Sequence, residues 1–388
     1  MLAGSLIKFF PCFGPLYSML GDDENALRLF GKIYLSSFAA PFFSVLLGMS
    51  CALSYARRAR EGRAGAMRHL LQRYVVFTGL GSILVSGEYL FRGRKDPWIL
   101  QTVLMFAVVA VSLLWGVTAI LGKKTANPPF WFGWIPQILF CLLAVLACID
   151  IVLGFRDAWV CLFSKTPHIG LEIKHECFAH WSILHVIGVS GLLTVPFVAL
   201  RQSLRLPLWF ALVGLRLYLQ WIPRFSARWD ILVMGGMLGA FGFMLIMLGG
   251  MILMDFYVSD HHGKIRYLAF LGAVALTAAL LLWAFPQFPV NERGVTVNFA
   301  LAAIACFGTA FIVLSLFEGF VPRFSWLIWW GQNPLVIFCL GVPLKGLLMW
   351  LAPKDPPLWS GLLCLFLGFG WFLWISRYLH RHRLLIRL

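Results

Sequence analysis

Apolar stretches long enough to cross a bilayer follow one another along the whole chain, separated by short polar connections. A spanning helix needs about 20 apolar residues. On this criterion we expect spans near 33–56, 69–91, 98–121, 131–154, 178–200, 206–222, 231–254, 266–285, 295–317, 326–350 and 359–379. Residues 1–20 are apolar but contain two prolines, and are predicted to form a short or incomplete first span. The pattern predicts a single all-α domain over 1–388, a polytopic membrane bundle of about 11 to 12 transmembrane helices.

The connection after the first long span fixes the predicted orientation. The stretch from Arg57 to Arg73, both included, contains six arginines and a single acid, Glu61. Short loops rich in Lys and Arg stay on the cytoplasmic side of a membrane. With this loop inside, strict alternation places the basic tail RYLHRHRLLIRL inside and 155–177 outside. Both termini are therefore predicted to be cytoplasmic, in a multi-pass protein of the plasma or inner membrane.

The composition agrees with a membrane protein. Of the 388 residues, 61% are hydrophobic and 12% charged, whereas soluble domains are about one quarter charged. The net charge of +16 is concentrated in loops beside apolar stretches, which indicates membrane orientation rather than nucleic-acid binding. The glycine-rich stretch MGGMLGAFGFMLIMLGGM is predicted to allow close helix packing, with a substrate or lipid groove as the alternative. Cys161 and Cys177 bracket a loop predicted to lie outside, where a disulfide is permitted.

Ionisable residues inside the apolar stretches are the first candidates for a functional site. Such a residue is costly in the hydrocarbon layer, so it needs a partner, a function or a position from which it reaches water. Glu88, Asp150, Arg216, His180 and His185 fit this description, and all are predicted to lie in the outer half of the membrane. The two histidines suit general acid–base chemistry, with haem ligation as an alternative. Their five-residue spacing turns them about 140° apart on a helix, away from a shared metal, and no metal is expected.

Three stretches of the chain carry motifs in a fixed order. The segments APFFSVLLGMSCALSYARRAREGR and RHLLQRYVVFTGLG resemble the heparan-α-glucosaminide N-acetyltransferase-like membrane acyltransferases through Pro41, Phe43, Gly48, Ser54, Arg57, Arg58 and Arg73. FPVNERGVTVNFAL resembles a second segment of that family through Pro289, Asn291, Thr296 and Leu301. WGQNPLVIF resembles a third through Gly331, Asn333 and Leu335, with Phe338 where the family usually has Tyr.

The resemblance implies transfer of an acyl group, acetyl above all, from cytoplasmic acyl-CoA to a sugar or other acceptor on the far side. Guanidinium groups suit the phosphates of such a donor. The same arginines also suit anionic lipids. The residues assigned to substrate binding are Arg57, Arg58, Arg73, Asn291, Asn333 and Arg216. The expected partners are membrane lipids, acyl-CoA and a sugar or glycan acceptor, with no nucleic acid. A homo-oligomer or larger membrane complex is left open.

One departure from the family pattern bears on catalysis. The family's catalytic His lies in the outer loop before its second span, and that position falls near Leu27 here. The stretch 21–37 contains no histidine. Catalysis is therefore assigned to His180 or His185, with Glu88 or Asp150 orienting the imidazole. The alternatives are a non-catalytic subunit or carrier built on the same scaffold, and a haem-binding membrane subunit.

Overall fold

The structure is a computed structural model that describes residues 39–91, 134–163, 183–221, 236–259, 263–284, 295–317 and 358–381, with a few helical positions between 103 and 111. Regular structure in these ranges is entirely helical. Their helices are α1 (Ala39–Arg58), α2 (Arg63–Phe91), α3 (Ile135–Phe163), α4 (Ile183–Val198), α5 (Gln202–Trp221), α6 (Gly236–Val258), α7 (Gly263–Ala284), α8 (Val297–Leu316) and α9 (Leu358–Arg381).

The helices follow the predicted spans in order, but the arginine-rich connection is shorter than predicted. α1 continues through Arg57 and Arg58, and α2 already begins at Arg63, so only 59–62 connects them. Arg and Ala are strong helix formers, so helices extend beyond the apolar residues that identify them. Hydropathy alone therefore misplaces the helix ends.

Four helical segments of the described residues are long and apolar enough to cross a membrane. They are Ile135–Arg156, Gly239–Val258, Gly263–Ala284 and Val297–Leu316. Leu184–Val198 is apolar but shorter. The architecture is thus helical and consistent with a membrane protein. The total number of spans and the location of the termini stay predictions.

Packing divides the chain into two compact units. One unit is Pro41–Ile304, and the other includes Ala305–Leu388, which contains α9. Along α9 the rings of Trp371, Trp374 and Tyr378 follow one another on one face, with centroids 5.5 and 5.9 Å apart. This contact is the ordinary consequence of spacings of three and four residues on a helix.

In the larger unit, α6 is the most deeply buried of the four apolar segments. A Cβ on Gly250 would overlap the carbonyl of Val45 in α1, and a Cβ on Gly48 of α1 would overlap the carbonyl of Met247. The backbones of α1 and α6 therefore touch at these glycines. The predicted role of the glycine-rich stretch in close helix packing is confirmed.

Polar side chains of α4 and α5 bond to the backbone of α6. The Ser190 hydroxyl donates to the Ala240 carbonyl at 2.8 Å, and the Trp209 indole donates to the Leu245 carbonyl at 2.9 Å. A buried indole N–H needs such a partner. These bonds fix α4 and α5 against the central helix.

Arg205 joins three helices at one end of the larger unit. Its guanidinium donates to the Val198 and Leu200 carbonyls at 2.6 and 2.9 Å, and lies 2.5 Å from the Asp255 carboxylate of α6. The last carbonyls of a helix have no hydrogen-bond donor within the helix. The Arg205 guanidinium provides donors for the carbonyls of Val198, at the end of α4, and Leu200, just after it. The end of α4, the start of α5 and the end of α6 therefore meet here, at what we call the basic end.

Candidate functional site

α2 and α4 cross in close contact. A Cβ on Gly191 of α4 would overlap the Tyr74 ring of α2, and a Cβ on Gly81 of α2 would lie 2.7 Å from His185 Nδ1 of α4. The contacts run in opposite order along the two chains, so the helices are antiparallel. The start of α2 therefore lies at the basic end, together with the end of α4.

Three polar side chains from three helices meet beside this crossing. His185 Nε2 of α4 lies 2.9 Å from Asp150 Oδ2 of α3 and 3.3 Å from Ser82 Oγ of α2. Ser82, Asp150 and His185 are 0%, 3% and 2% exposed. We call this group the Ser82–Asp150–His185 cluster.

The contact between α2 and α3 explains how Asp150 reaches the cluster. A Cβ on Gly79 would overlap the carbonyl of Leu143, so the two backbones touch at this level. Asp150 follows Leu143 by seven residues, which is about two turns of a helix and returns to the same face. Leu143 packs with Val108 and Leu146 in an apolar layer of the larger unit. The carboxylate is thus placed beside His185 in apolar surroundings.

The contact with Asp150 favours one tautomer of His185. An ionised carboxylate only accepts hydrogen bonds, so His185 Nε2 is protonated whenever Asp150 is ionised. A carboxylate that fixes the tautomer and orientation of an imidazole is a recurring arrangement in acid–base catalysis.

Ser82 does not occupy the place of a nucleophile in a Ser-His-Asp triad. In such a triad, the carboxylate and the hydroxyl contact different ring nitrogens. Here Asp150 and Ser82 approach the same Nε2. The nitrogen that holds its proton for Asp150 cannot also deprotonate Ser82, so the arrangement favours an oriented base over an activated serine.

The arginines assigned to donor binding lie away from the cluster. Arg57 and Arg58 are exposed in the last turn of α1, and Arg73 is half-buried with its guanidinium 5.5 Å from the Phe77 ring centroid. Ser82 follows Arg73 by nine residues, about 14 Å along the axis of α2. Arg73 and the cluster are therefore separate groups along α2.

Arg216 is buried, 1% exposed, and its Nη2 donates to the Val295 carbonyl at 3.1 Å. One turn further along α5, the Gln220 side chain accepts from the Val297 amide at 3.0 Å. Val295 has a φ of 44°, a strained conformation for a β-branched residue. α5 thus fixes the start of α8 through Arg216 and Gln220. Neither Arg216 nor Asp150 is at a position from which it reaches water.

Several predicted site residues lie outside the described part of the chain. These are His180, Asn291, Asn333 and Cys177. Glu88 lies in α2 and Cys161 in α3, but their side chains are likewise outside it. The roles of these residues, and the Cys161–Cys177 disulfide, stay predictions.

Sequence reasoning identified Asp150 and His185 but not Ser82. Tyr74, Thr78 and Ser82 recur every four residues and so share one face of α2. A hydroxyl stripe at this spacing in an apolar helix was the available signal for the contact surface with α4.

Comparison of the chain with protein-family models, curated proteins and solved structures finds no match. The acyltransferase resemblance therefore remains a prediction from the sequence motifs.

Proposed function

We propose that the protein is a membrane acyltransferase that carries an acyl group, in the first place acetyl, from cytoplasmic acyl-CoA to a sugar or other acceptor. The observation that carries the proposal is the buried Asp150–His185 pair, 2.9 Å between Oδ2 and Nε2. The proposal includes about 11 to 12 spans, both termini in the cytoplasm, and a plasma or inner membrane location.

His185 acts as the general base in the proposed reaction. Its imidazole takes the proton of the acceptor hydroxyl or amine as that oxygen or nitrogen attacks the thioester carbonyl. The carbon–sulfur bond breaks, and the CoA thiolate receives the proton from the imidazolium. Asp150 keeps the Nε2–H in place throughout and stabilises the imidazolium. The acyl group passes directly to the acceptor, because Ser82 is not placed to be acylated.

The basic end receives the donor. Arg57 and Arg58 are exposed there and form charge-assisted hydrogen bonds to the phosphates of acyl-CoA. The long flexible arm of the donor then reaches inward past Arg73. Donor recognition at the basic end is thus separate from chemistry at the Ser82–Asp150–His185 cluster. Because Arg73 and Ser82 are about 14 Å apart along α2, the bound donor must be extended.

The test follows radiolabelled acetyl from acetyl-CoA into products in membranes that contain the wild-type protein or a variant. His185→Gln keeps an amide donor towards Asp150 but cannot take up a proton at neutral pH. We expect its transfer rate to fall by about 10²- to 10⁴-fold. Ser82→Ala is the matched control from the same cluster and should retain most activity. Unchanged transfer in His185→Gln would remove His185 from the mechanism.

The second candidate is a non-catalytic subunit or carrier on the same scaffold. The near-complete burial of all three members of the cluster favours it, because a satisfied buried network can serve structure alone. The two functions differ in donor binding. A purified protein that binds no acyl-CoA at millimolar concentration is the carrier or subunit, not the enzyme.

A further inference from the structure

Six helix ends of the larger unit gather at the basic end. The short connection 59–62 places the end of α1 beside the start of α2. α4 is antiparallel to α2, and α5 begins four residues after α4 ends. Arg205 bonds the end of α4 to the end of α6, and α7 begins at Gly263. Side chains from these three connections therefore share one end of the unit.

Exposed positive charge dominates this end. Six basic side chains at this end, outside the donor set, are exposed, and we call them the basic rim: Arg60, Arg63, Arg68, Arg201, Lys264 and Arg266. Among the described residues at this end, Glu61 is the exposed acid, and the partly buried Asp255 is paired with Arg205. The described part of this surface thus has a large positive excess.

Exposed apolar side chains lie directly beside the rim. Leu71, Leu204, Ile265 and Leu268 are 42%, 54%, 66% and 54% exposed. Each is within three residues of a rim residue along the chain. In a membrane protein, such leucines and isoleucines contact acyl chains, and long basic side chains nearby extend to the headgroups. The rim and its apolar neighbours are therefore suited to the level where acyl chains meet headgroups.

We propose that the basic rim binds the phosphate headgroups of anionic phospholipids in the adjoining leaflet. A group of four to eight Lys and Arg beside membrane helices suits this partner, at about 1 kcal/mol for each residue near the surface. Five of the six are arginines, whose guanidinium groups form paired hydrogen bonds with phosphate. The apolar neighbours commit the site to lipid, because a soluble phosphate makes no use of them.

The experiment reconstitutes the full chain in nanodiscs of mixed phosphatidylcholine and phosphatidylglycerol, re-extracts it in mild detergent and measures the retained lipids by mass spectrometry. We expect phosphatidylglycerol to be enriched over the bulk ratio, and replacement of all six rim residues by Gln to remove the enrichment. Replacement of the five rim arginines by Lys should keep most of it, because the charge remains. The single substitution Arg266→Gln tests the rim even if the six-fold Gln variant folds poorly.

Single substitutions provide a matched control. Arg266→Gln removes one rim charge, whereas Arg156→Gln removes one exposed charge on α3, beyond the cluster and away from the basic end. Enrichment should decrease in the first and not in the second. Equal enrichment in wild type, the six-fold Gln variant and Arg266→Gln would overturn the proposal. So would displacement of phosphatidylglycerol by inorganic phosphate at matched ionic strength, which would indicate a soluble anion site.

Discussion

The contact between α1 and α6 yields a quantitative prediction for Gly48→Ala. The new methyl group would overlap the carbonyl oxygen of Met247, and the carbonyl carbon would lie only 2.8 Å from it. These are backbone atoms, so no side-chain rotation relieves the overlap and a helix must shift. Gly272→Ala in α7 is the matched control, because nothing lies within 4 Å of its added Cβ.

The two substitutions are expected to change the free energy of unfolding in opposite directions. Overpacking a well-packed contact costs about 1 to 3 kcal/mol, and a rigid neighbour places Gly48→Ala near the upper limit. Replacing Gly by Ala inside a helix otherwise gains about 0.5 to 1 kcal/mol, and Gly272→Ala should show that gain. We therefore expect the free energies of unfolding of the two variants to differ by about 3 kcal/mol.

The assay compares thermal unfolding of wild type and both variants in one detergent, with monodispersity checked by size-exclusion chromatography. Gly48→Ala should unfold at lower temperature than wild type, and Gly272→Ala at the same or higher temperature. Equal midpoints for the two variants would refute the direct backbone contact between α1 and α6.

Three further predictions concern polar contacts. His185→Ala leaves the Asp150 carboxylate buried without its partner and should destabilise by about 3 to 5 kcal/mol. Adding Asp150→Leu should restore part of this loss in urea unfolding, and a strictly additive loss would show that the pair is uncoupled. Arg205→Gln should cost about 2 kcal/mol through the lost charged hydrogen bonds, against less than about 0.5 kcal/mol for the exposed Arg201→Gln, by thermal unfolding. Equal losses would contradict the capping role of Arg205. Gly81→Ala adds a Cβ 2.7 Å from both the backbone nitrogen and Nδ1 of His185 and should lower acetyl transfer by displacing the ring, and full activity would contradict His185 as the base.

The positions of the helices could be predicted because the signal is local. A run of apolar residues of sufficient length identifies a helix wherever it packs. Asp150 and His185 could also be identified individually, because an ionisable residue in an apolar stretch needs a partner or a function. Their pairing was not, because it joins residues 35 apart and depends on the glycine contacts that bring α2, α3 and α4 together.

Neither Ser82 nor the partner of Arg216 was predicted from the sequence, and the reasons differ. A hydroxyl in an apolar helix can donate to the carbonyl four residues earlier, as Thr78 does to Tyr74 at 3.0 Å. Burying such a hydroxyl therefore costs little, and its presence in an apolar stretch does not indicate a functional site. Arg216 was marked by its charge. Its partner is the carbonyl of Val295, 79 residues later, and a backbone carbonyl has no residue type that a sequence pattern could reveal.

Binding of radiolabelled acetyl-CoA to the purified protein tests the proposed function most directly. Wild type should bind saturably, Arg57→Ala with Arg58→Ala should weaken binding, and Arg156→Ala at a distant exposed position should not. His185→Gln should bind the donor as wild type does, since it is assigned to chemistry and not to donor recognition. Absence of saturable binding by the folded wild-type protein at millimolar acetyl-CoA would contradict the acyltransferase proposal.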